Sequence, residues 1–250
     1  MGGKNMTDVT IVTGGSRGIG AATAKLVAGH GHAVCVNYVN DKDAADKVVS
    51  EIEAAGGKAI AVKADTSNEA DVVAMFEQVD KELGPVTGLV NNAGINGERK
   101  RVEALSPEEI NRLLAVNVTG CMICAREAIK RMSTKHGGKG GAIVNVSSGS
   151  ANLGNPGIGV LYATSKGALN SFTIGLSQEV AAEGIRVNTV APGMTRTDMP
   201  GEDRLKAQAE KIPMGRVAEP EEIAEAIWFL LSDKAGYIAG ANIRVGGGRI

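Results

Sequence analysis

Short β-branched runs alternate with stretches of helical period along almost the whole chain. Strand-like apolar runs cover residues 9–13, 33–36, 58–63, 86–90, 141–146, 185–190 and 241–245. Between them, residues 18–28, 41–54, 68–83, 107–132, 163–182 and 220–231 read as helices. Ser106-Pro107 supplies an N-cap and a proline at the first helical position, and Glu219-Pro220-Glu221-Glu222 opens the last helix. Seven strands separated by helices pair in parallel through right-handed crossovers. The pattern therefore predicts an α/β fold: a three-layer, doubly wound, seven-stranded parallel sheet. No linker or internal repeat interrupts it, so residues 1–250 are expected to form one domain.

Composition narrows the function classes. The 27 basic and 28 acidic residues nearly cancel, leaving no global field for nucleic acid or anionic lipid. The polar segment 1–8 has no apolar run of signal-peptide type, and no stretch is long enough to span a bilayer. Three cysteines, Cys35, Cys121 and Cys124, are an odd number in apolar surroundings, which suits a reducing compartment and predicts a cytoplasmic protein. Cys121 and Cys124 have ligand-like spacing but no second ligand pair nearby, so a buried helix face is the better reading. The three histidines are not spaced with carboxylates as metal ligands. No catalytic metal is expected.

Two stretches carry chemistry. In Thr13-Gly-Gly-Ser-Arg-Gly-Ile-Gly20, glycines 14, 18 and 20 sit where the first strand turns into the first helix. Glycine permits the backbone to approach a ligand closely, and the helix N-terminus offers N–H groups and partial positive charge to a pyrophosphate. In Tyr162-Ala-Thr-Ser-Lys166, a phenol and an ammonium lie four residues apart on one helix face. A nearby cation favours phenolate, lowering a tyrosine pKa from about 10 toward the working range of a general acid/base.

These stretches are joined, in order, by Asn91-Asn-Ala-Gly94, Asn117, Ser147-Ser148 and Pro192-Gly193. The set resembles the short-chain dehydrogenase/reductase family over essentially the whole chain, including its Gly-x-x-x-Gly-x-Gly spacing. The resemblance implies a Rossmann domain and hydride transfer between a nicotinamide cofactor and a carbonyl or secondary alcohol. It implies catalytic roles for four residues. Ser148 would hydrogen-bond the substrate oxygen, with Ser147 as the competing choice because the loop to Tyr162 is one residue longer than usual. Tyr162 would exchange the proton, Lys166 would hold the nicotinamide ribose and tune Tyr162, and Asn117 would position a relay water. An asparagine in mid-helix also predicts a local helix distortion.

The implied cofactor contacts are Gly14, Ser16, Arg17, Gly18, Ile19, Gly20, Asn37, Tyr38, Asp65, Thr66, Asn91, Ala93, Gly94, Pro192, Gly193, Thr195 and Thr197, together with Tyr162 and Lys166. Tyr38 stands where NAD enzymes place a carboxylate for the ribose 2′-hydroxyl. With Arg17 available for a 2′-phosphate, NADP(H) is expected over NAD(H), with dual use left open. Asp65 would meet the adenine amino group or cap the next helix. Asn92 is expected to be mainly structural. Thr197 would reach phosphates or cap the following helix.

Residues 194–216 resemble the family's substrate lid, with a plain surface loop as the alternative. Residues 95–100 and 149–161 would complete the substrate pocket, with Arg99, Lys100 and Arg101 as candidate anion binders. The resemblance also implies a homotetramer built on two long helices and the last strand, and the tracts 107–132 and 163–182 carry the small and apolar positions that such interfaces use. The competing class is a dinucleotide-binding sensor or scaffold without turnover. Such a protein would be expected to lack Tyr162 or Lys166, and both are present.

Overall fold

A computed structural model describes residues 8–197 and 209–249. Seven parallel strands run in the order β3-β2-β1-β4-β5-β6-β7. They are β1 Val9–Val12, β2 Ala33–Tyr38, β3 Lys58–Lys63, β4 Gly88–Asn91, β5 Gly141–Val146, β6 Ile185–Pro192 and β7 Asn242–Val245. The main helices are α1 Gly18–Gly29, α2 Lys42–Ala54, α3 Glu69–Glu82, α4 Pro107–Leu114, α5 Gly120–Met132, α6 Ser150–Leu153, α7 Val160–Val180 and α8 Pro220–Leu231.

The sheet is apolar on both faces, which explains why its central strands read as continuous hydrophobic runs. Val9, Ile11, Cys35 and Ile143 pack under α3, α5 and α7. Val12, Val34, Val36, Val90 and Val144 pack under α1, α2 and α8. Successive residues thus feed opposite layers, as the pleat requires. All three cysteines are buried free thiols. Among the described residues, no helix is long and apolar enough to cross a membrane, and no three His, Cys, Asp or Glu side chains cluster as metal ligands.

Several boundaries differ from the sequence reading. β2 and β6 run on to Tyr38 and Pro192 because neighbouring strands continue the ladder. α7 starts at Val160, so Tyr162 belongs to its first turn. The tract 107–132 is α4 and α5 joined by a π-helical turn, Ala115–Thr119, in which Gly120 N–H donates to Ala115 O. The expected distortion at Asn117 takes that form. Part of the expected lid, residues 198–208, lies outside the described residues.

At the opposite end of the sheet from the motifs, His30 stacks on Trp228 with ring centroids 4.1 Å apart, and His32 meets the same indole edge-on at 5.4 Å. His32 Nδ1 lies 2.9 Å from Thr10 Oγ1. Burial lowers the His32 pKa from its usual 6.5 and His30 adds to the effect, while Asp8 and Asp233 oppose it. The unfolded chain therefore binds a proton more readily than the folded one. This contribution to stability is intact above pH 6.5 and is lost as pH falls through that value toward the folded-state pKa. Urea unfolding followed by Trp228 fluorescence from pH 7.5 to 5.5 should show falling stability, with a shallower slope in His32→Gln. Equal slopes would remove His32 from this role.

Candidate active site

The topology creates the site. β1 leads into α1 on one face of the sheet and β4 leads toward α4 on the other, so the chain parts between two adjacent strands. Backbone groups at that parting lose their ladder partners, and side chains replace them. Thr13 Oγ1 donates to Val90 O at 3.2 Å and accepts from the N–H groups of Asn92 and Ala93, both at 3.0 Å. Asn92 Nδ2 donates to Thr13 O at 2.9 Å and Gly14 O at 3.0 Å. Asn92 therefore ties the glycine turn to the end of β4.

The turn itself leaves no room for side chains. Gly14 and Gly18 have φ of +60° and +52°. A Cβ on Gly20 would lie 2.2 Å from Gly14 O and 2.7 Å from Asn92 Nδ2. Arg17 precedes α1 in an extended conformation, and no side chain caps that helix. Its first N–H groups consequently face the crevice, and Thr197 leans against Gly18 there, its Cγ2 3.1 Å from where a Cβ would stand. Arg17 is exposed, Ser16 is half-buried, and Ile19 packs against the core beneath α1. This close-approach cradle fits a dinucleotide pyrophosphate.

Two expected contacts need correction. Asn37 is fully buried: its Oδ1 accepts from Gly14 N at 3.1 Å, and its Nδ2 donates to Ala64 O at 3.0 Å. It ties the turn to β2 and β3, and its side chain is spent inside the protein. Asn91 is likewise buried, donating to Cys121 O at 3.1 Å and Asn145 Oδ1 at 2.9 Å. It braces β4 against α5 and β5, so the structural role assigned to Asn92 belongs to Asn91 as well. Tyr38 packs into the apolar cluster beneath α2.

Asp65 does not cap the next helix; Asn68 does, accepting from Ala70 N and Asp71 N. Asp65 instead accepts from Ser67 N at 2.9 Å and Ser67 Oγ at 2.6 Å, and from Arg112 Nη2 at 3.3 Å. Partial burial alone would raise its pKa, but these donors outweigh it and the carboxyl titrates below its usual range. Thr66 is buried against Gly120, whose added Cβ would lie 2.7 Å from Thr66 O. The candidate anion binders near the pocket mouth are partly committed, Lys100 to Glu98 and Glu109, and Arg101 to Glu103.

The catalytic candidates gather on the other bank of the crevice. Lys166 is only 4% exposed, and an ammonium so buried needs partners. Its Nζ donates to Val146 O at 2.8 Å and lies 5.8 Å from the centre of the Tyr162 ring. Asn117 is fully buried: its Oδ1 accepts from Ile95 N at 2.8 Å, and its Nδ2 donates to Ile95 O at 2.9 Å and Ser165 Oγ at 3.1 Å. Ser165 Oγ donates to Tyr162 O at 2.7 Å. A Cβ on Gly94 would lie 3.3 Å from Asn117 Oδ1 and 3.4 Å from Lys166 Nζ. The backbone of Gly94 thus borders both.

The two serines separate cleanly. Ser147 is buried, and its Oγ donates to Lys166 O at 2.9 Å. Ser148 is half-buried at the strand end, its Oγ accepting only from Ser150 N at 3.1 Å among the described residues. Cys121 also lies close by, its thiol pushed up to about 11 by burial against the opposing charge of Lys166. Pro192 O accepts from Gly149 N, and Gly193 N donates to Val245 O, both at 2.8 Å. Thr195 is buried with its Oγ1 on Gly193 O.

Sequence inspection missed Ser165, whose place three residues after Tyr162 on the same helix face was an available signal. It also missed the buried chain from Asn145 Nδ2 to Thr173 Oγ1 at 2.9 Å and on to Thr189 Oγ1 at 2.7 Å.

Known proteins resemble this chain along nearly its whole length. A family model described as enoyl-(acyl carrier protein) reductase matches residues 14–249. The uncharacterized oxidoreductase YgfF of Escherichia coli K12 is 53% identical over 248 residues, covering 96% of this chain and 99% of its own. Glucose 1-dehydrogenase 2 of Bacillus subtilis is 38% identical over 250 residues, covering 98% of this chain and 96% of its own. A solved short-chain dehydrogenase/reductase from Serratia marcescens superposes with a TM-score of 0.90 at 35% identity, covering 97% of this chain and 98% of that one.

Proposed function

This chain belongs to the short-chain dehydrogenase/reductase family, and on that premise we propose that it catalyses NADP(H)-dependent interconversion of a carbonyl and a secondary alcohol. The observation that carries this reading is the convergence of Asn117 and Lys166 beside Gly94, with Tyr162 and Ser148 on the adjoining strand and helix ends.

The glycine turn and the N-terminus of α1 would hold the pyrophosphate, with Thr197 beside them. Asp65 and Thr66 would meet the adenine, Ala93 and Gly94 would pass beneath the cofactor, and Pro192, Gly193 and Thr195 would border the nicotinamide. When bound, the nicotinamide supplies or accepts the hydride. Ser148 Oγ donates a hydrogen bond to the substrate oxygen and holds it in place. Tyr162 gives that oxygen a proton in reduction and takes one in oxidation. Lys166 sets a fixed positive charge near the phenolic oxygen, where negative charge gathers between transfers. One Lys166 donor is held by Val146 O, which leaves others for the ribose hydroxyls. Asn117 fixes the Ile95 peptide and would order the water that returns protons to Lys166.

NADP(H) is favoured because Arg17 is exposed at the turn and neither residue ending β2 is a carboxylate. Asp41, the nearest acid after that strand, is engaged in capping α2 through Ala44 N. A cytoplasmic location is favoured by three reduced, buried thiols. A homotetramer is favoured by a groove between α5 and α7 lined by Met122, Ile129, Phe172 and Leu176, beside the half-exposed Ile174.

Tyr162→Phe should lower turnover by at least about 100-fold, a general acid/base contribution, while leaving NADPH affinity nearly unchanged. Turnover at the wild-type rate would reject the mechanism. In a panel of carbonyls and alcohols followed with both cofactors, the wild type should favour NADPH, and Arg17→Ala should erase most of that preference; NADH preference in the wild type refutes the assignment. Light scattering should report four chains per particle, and a single monomer-sized peak would sink the tetramer.

A further inference from the structure

We propose that Arg244 recognises a carboxylate on the substrate, so that the preferred substrate is an aliphatic oxo acid or the corresponding hydroxy acid. This rests on the oxidoreductase reading of the site and extends it to substrate class.

Arg244 stands on the edge strand β7, in register with Ala191 just before the Pro192-Gly193 turn. Its guanidinium reaches the Ser148-Gly149 corner: a Cβ on Gly149 would lie 2.9 Å from Arg244 Nη2 and 3.5 Å from Pro192 O. Glycine at 149 is what leaves space for the guanidinium beside the residue assigned to the substrate oxygen. Arg244 Nε donates to Arg249 O at 2.9 Å, which orients the planar group. Among the described residues, neither Nη has an acceptor and no carboxylate pairs with Arg244.

The same side chain lines a cleft of about 520 Å³ whose wall is largely apolar, including Met194, Ile212 and Val245. The cleft's described acid, Glu222, is already bound by Arg216 through two hydrogen bonds of 2.6 and 2.7 Å, so that pair cancels. What remains is the half-buried Arg244 with its two Nη groups unspent, beside the likewise half-buried Arg249 and facing an apolar chamber that begins one residue past Gly193. A guanidinium fork matches a carboxylate in bidentate geometry, and an apolar wall matches the alkyl chain behind it. Desolvation makes an unpaired arginine costly there, and an incoming carboxylate relieves that cost.

Two measurements test this. In calorimetric titration of the full chain, hexanoate should bind at least about tenfold more tightly than its neutral match hexanamide, and Arg244→Gln should abolish the difference. With NADPH, the ratio of kcat/KM for 5-oxohexanoate over its methyl ester should be at least about ten, falling to near one in Arg244→Gln. Arg244→Lys keeps the charge without the fork and should give an intermediate ratio, which guards against a glutamine variant that fails to fold. A wild type without preference for acid over ester, or a ratio unmoved in both variants, would overturn the proposal. If no carbonyl is reduced at all, the oxidoreductase reading fails, and the hexanoate–hexanamide difference still judges Arg244 by itself.

Discussion

The structure depends on what happens between β1 and β4, where adjacent parallel strands send their chains to opposite faces of the sheet. That divergence opens a crevice and leaves peptide groups without ladder partners. Buried unpaired peptides each cost on the order of 1–3 kcal/mol, so the parting persists only because other groups satisfy them. Thr13, Asn37 and Asn92 do so with hydroxyl and amide groups that imitate the missing strand edge. Asn117 does the same on the far bank, pairing with both polar groups of Ile95 as a neighbouring strand would. The crevice is therefore a stable absence, held open by short polar side chains that are saturated by backbone.

Saturation divides labour among the polar residues. Those whose hydrogen bonds are filled, such as Asn37 and Ser147, set positions. Those left with open valence at the crevice, such as Ser148, Lys166 and Arg17, are the ones to which the proposed chemistry is assigned. Residues of one type fall on both sides of this line. Ser147 and Ser148 are neighbours in sequence, yet the pleat turns one inward to α7 and leaves the other at the strand end.

This explains what was legible in the sequence. The apolar runs, the glycine turn and the caps at Ser106 and Glu219 express strong local rules, and the sheet and helices follow them. The glycines at 14, 18 and 20 were readable because their lack of a side chain has one steric purpose in a strand-to-helix turn. The asparagines were not. An amide that binds a ligand and an amide that binds a peptide look identical as letters, and the partners that hold Asn37 and Asn91 come mostly from segments more than 20 residues away in the chain. The early start of α7 was hidden for a related reason, since Gly159 and the preceding loop offer no capping side chain to mark it. The capping alternative for Asp65 falls away because Asn68, three residues on, can fill the same role and does.

The π-helical turn at Ala115–Thr119 carries a cost of another kind. A helix that closes one turn with five residues contains one residue more than its length in turns requires, and every residue beyond it is rotated by about 100° relative to an uninterrupted helix. Cys121, Cys124, Ala125, Ala128 and Met132 face the sheet only with that extra residue in place. Removing one residue from the turn would yield a more regular helix and a misdirected one, its thiols and methionine swung away from the core. The segment thus trades local regularity for the phase of everything after it, and single-residue length changes there are closed to this fold in a way that they are not in its surface loops.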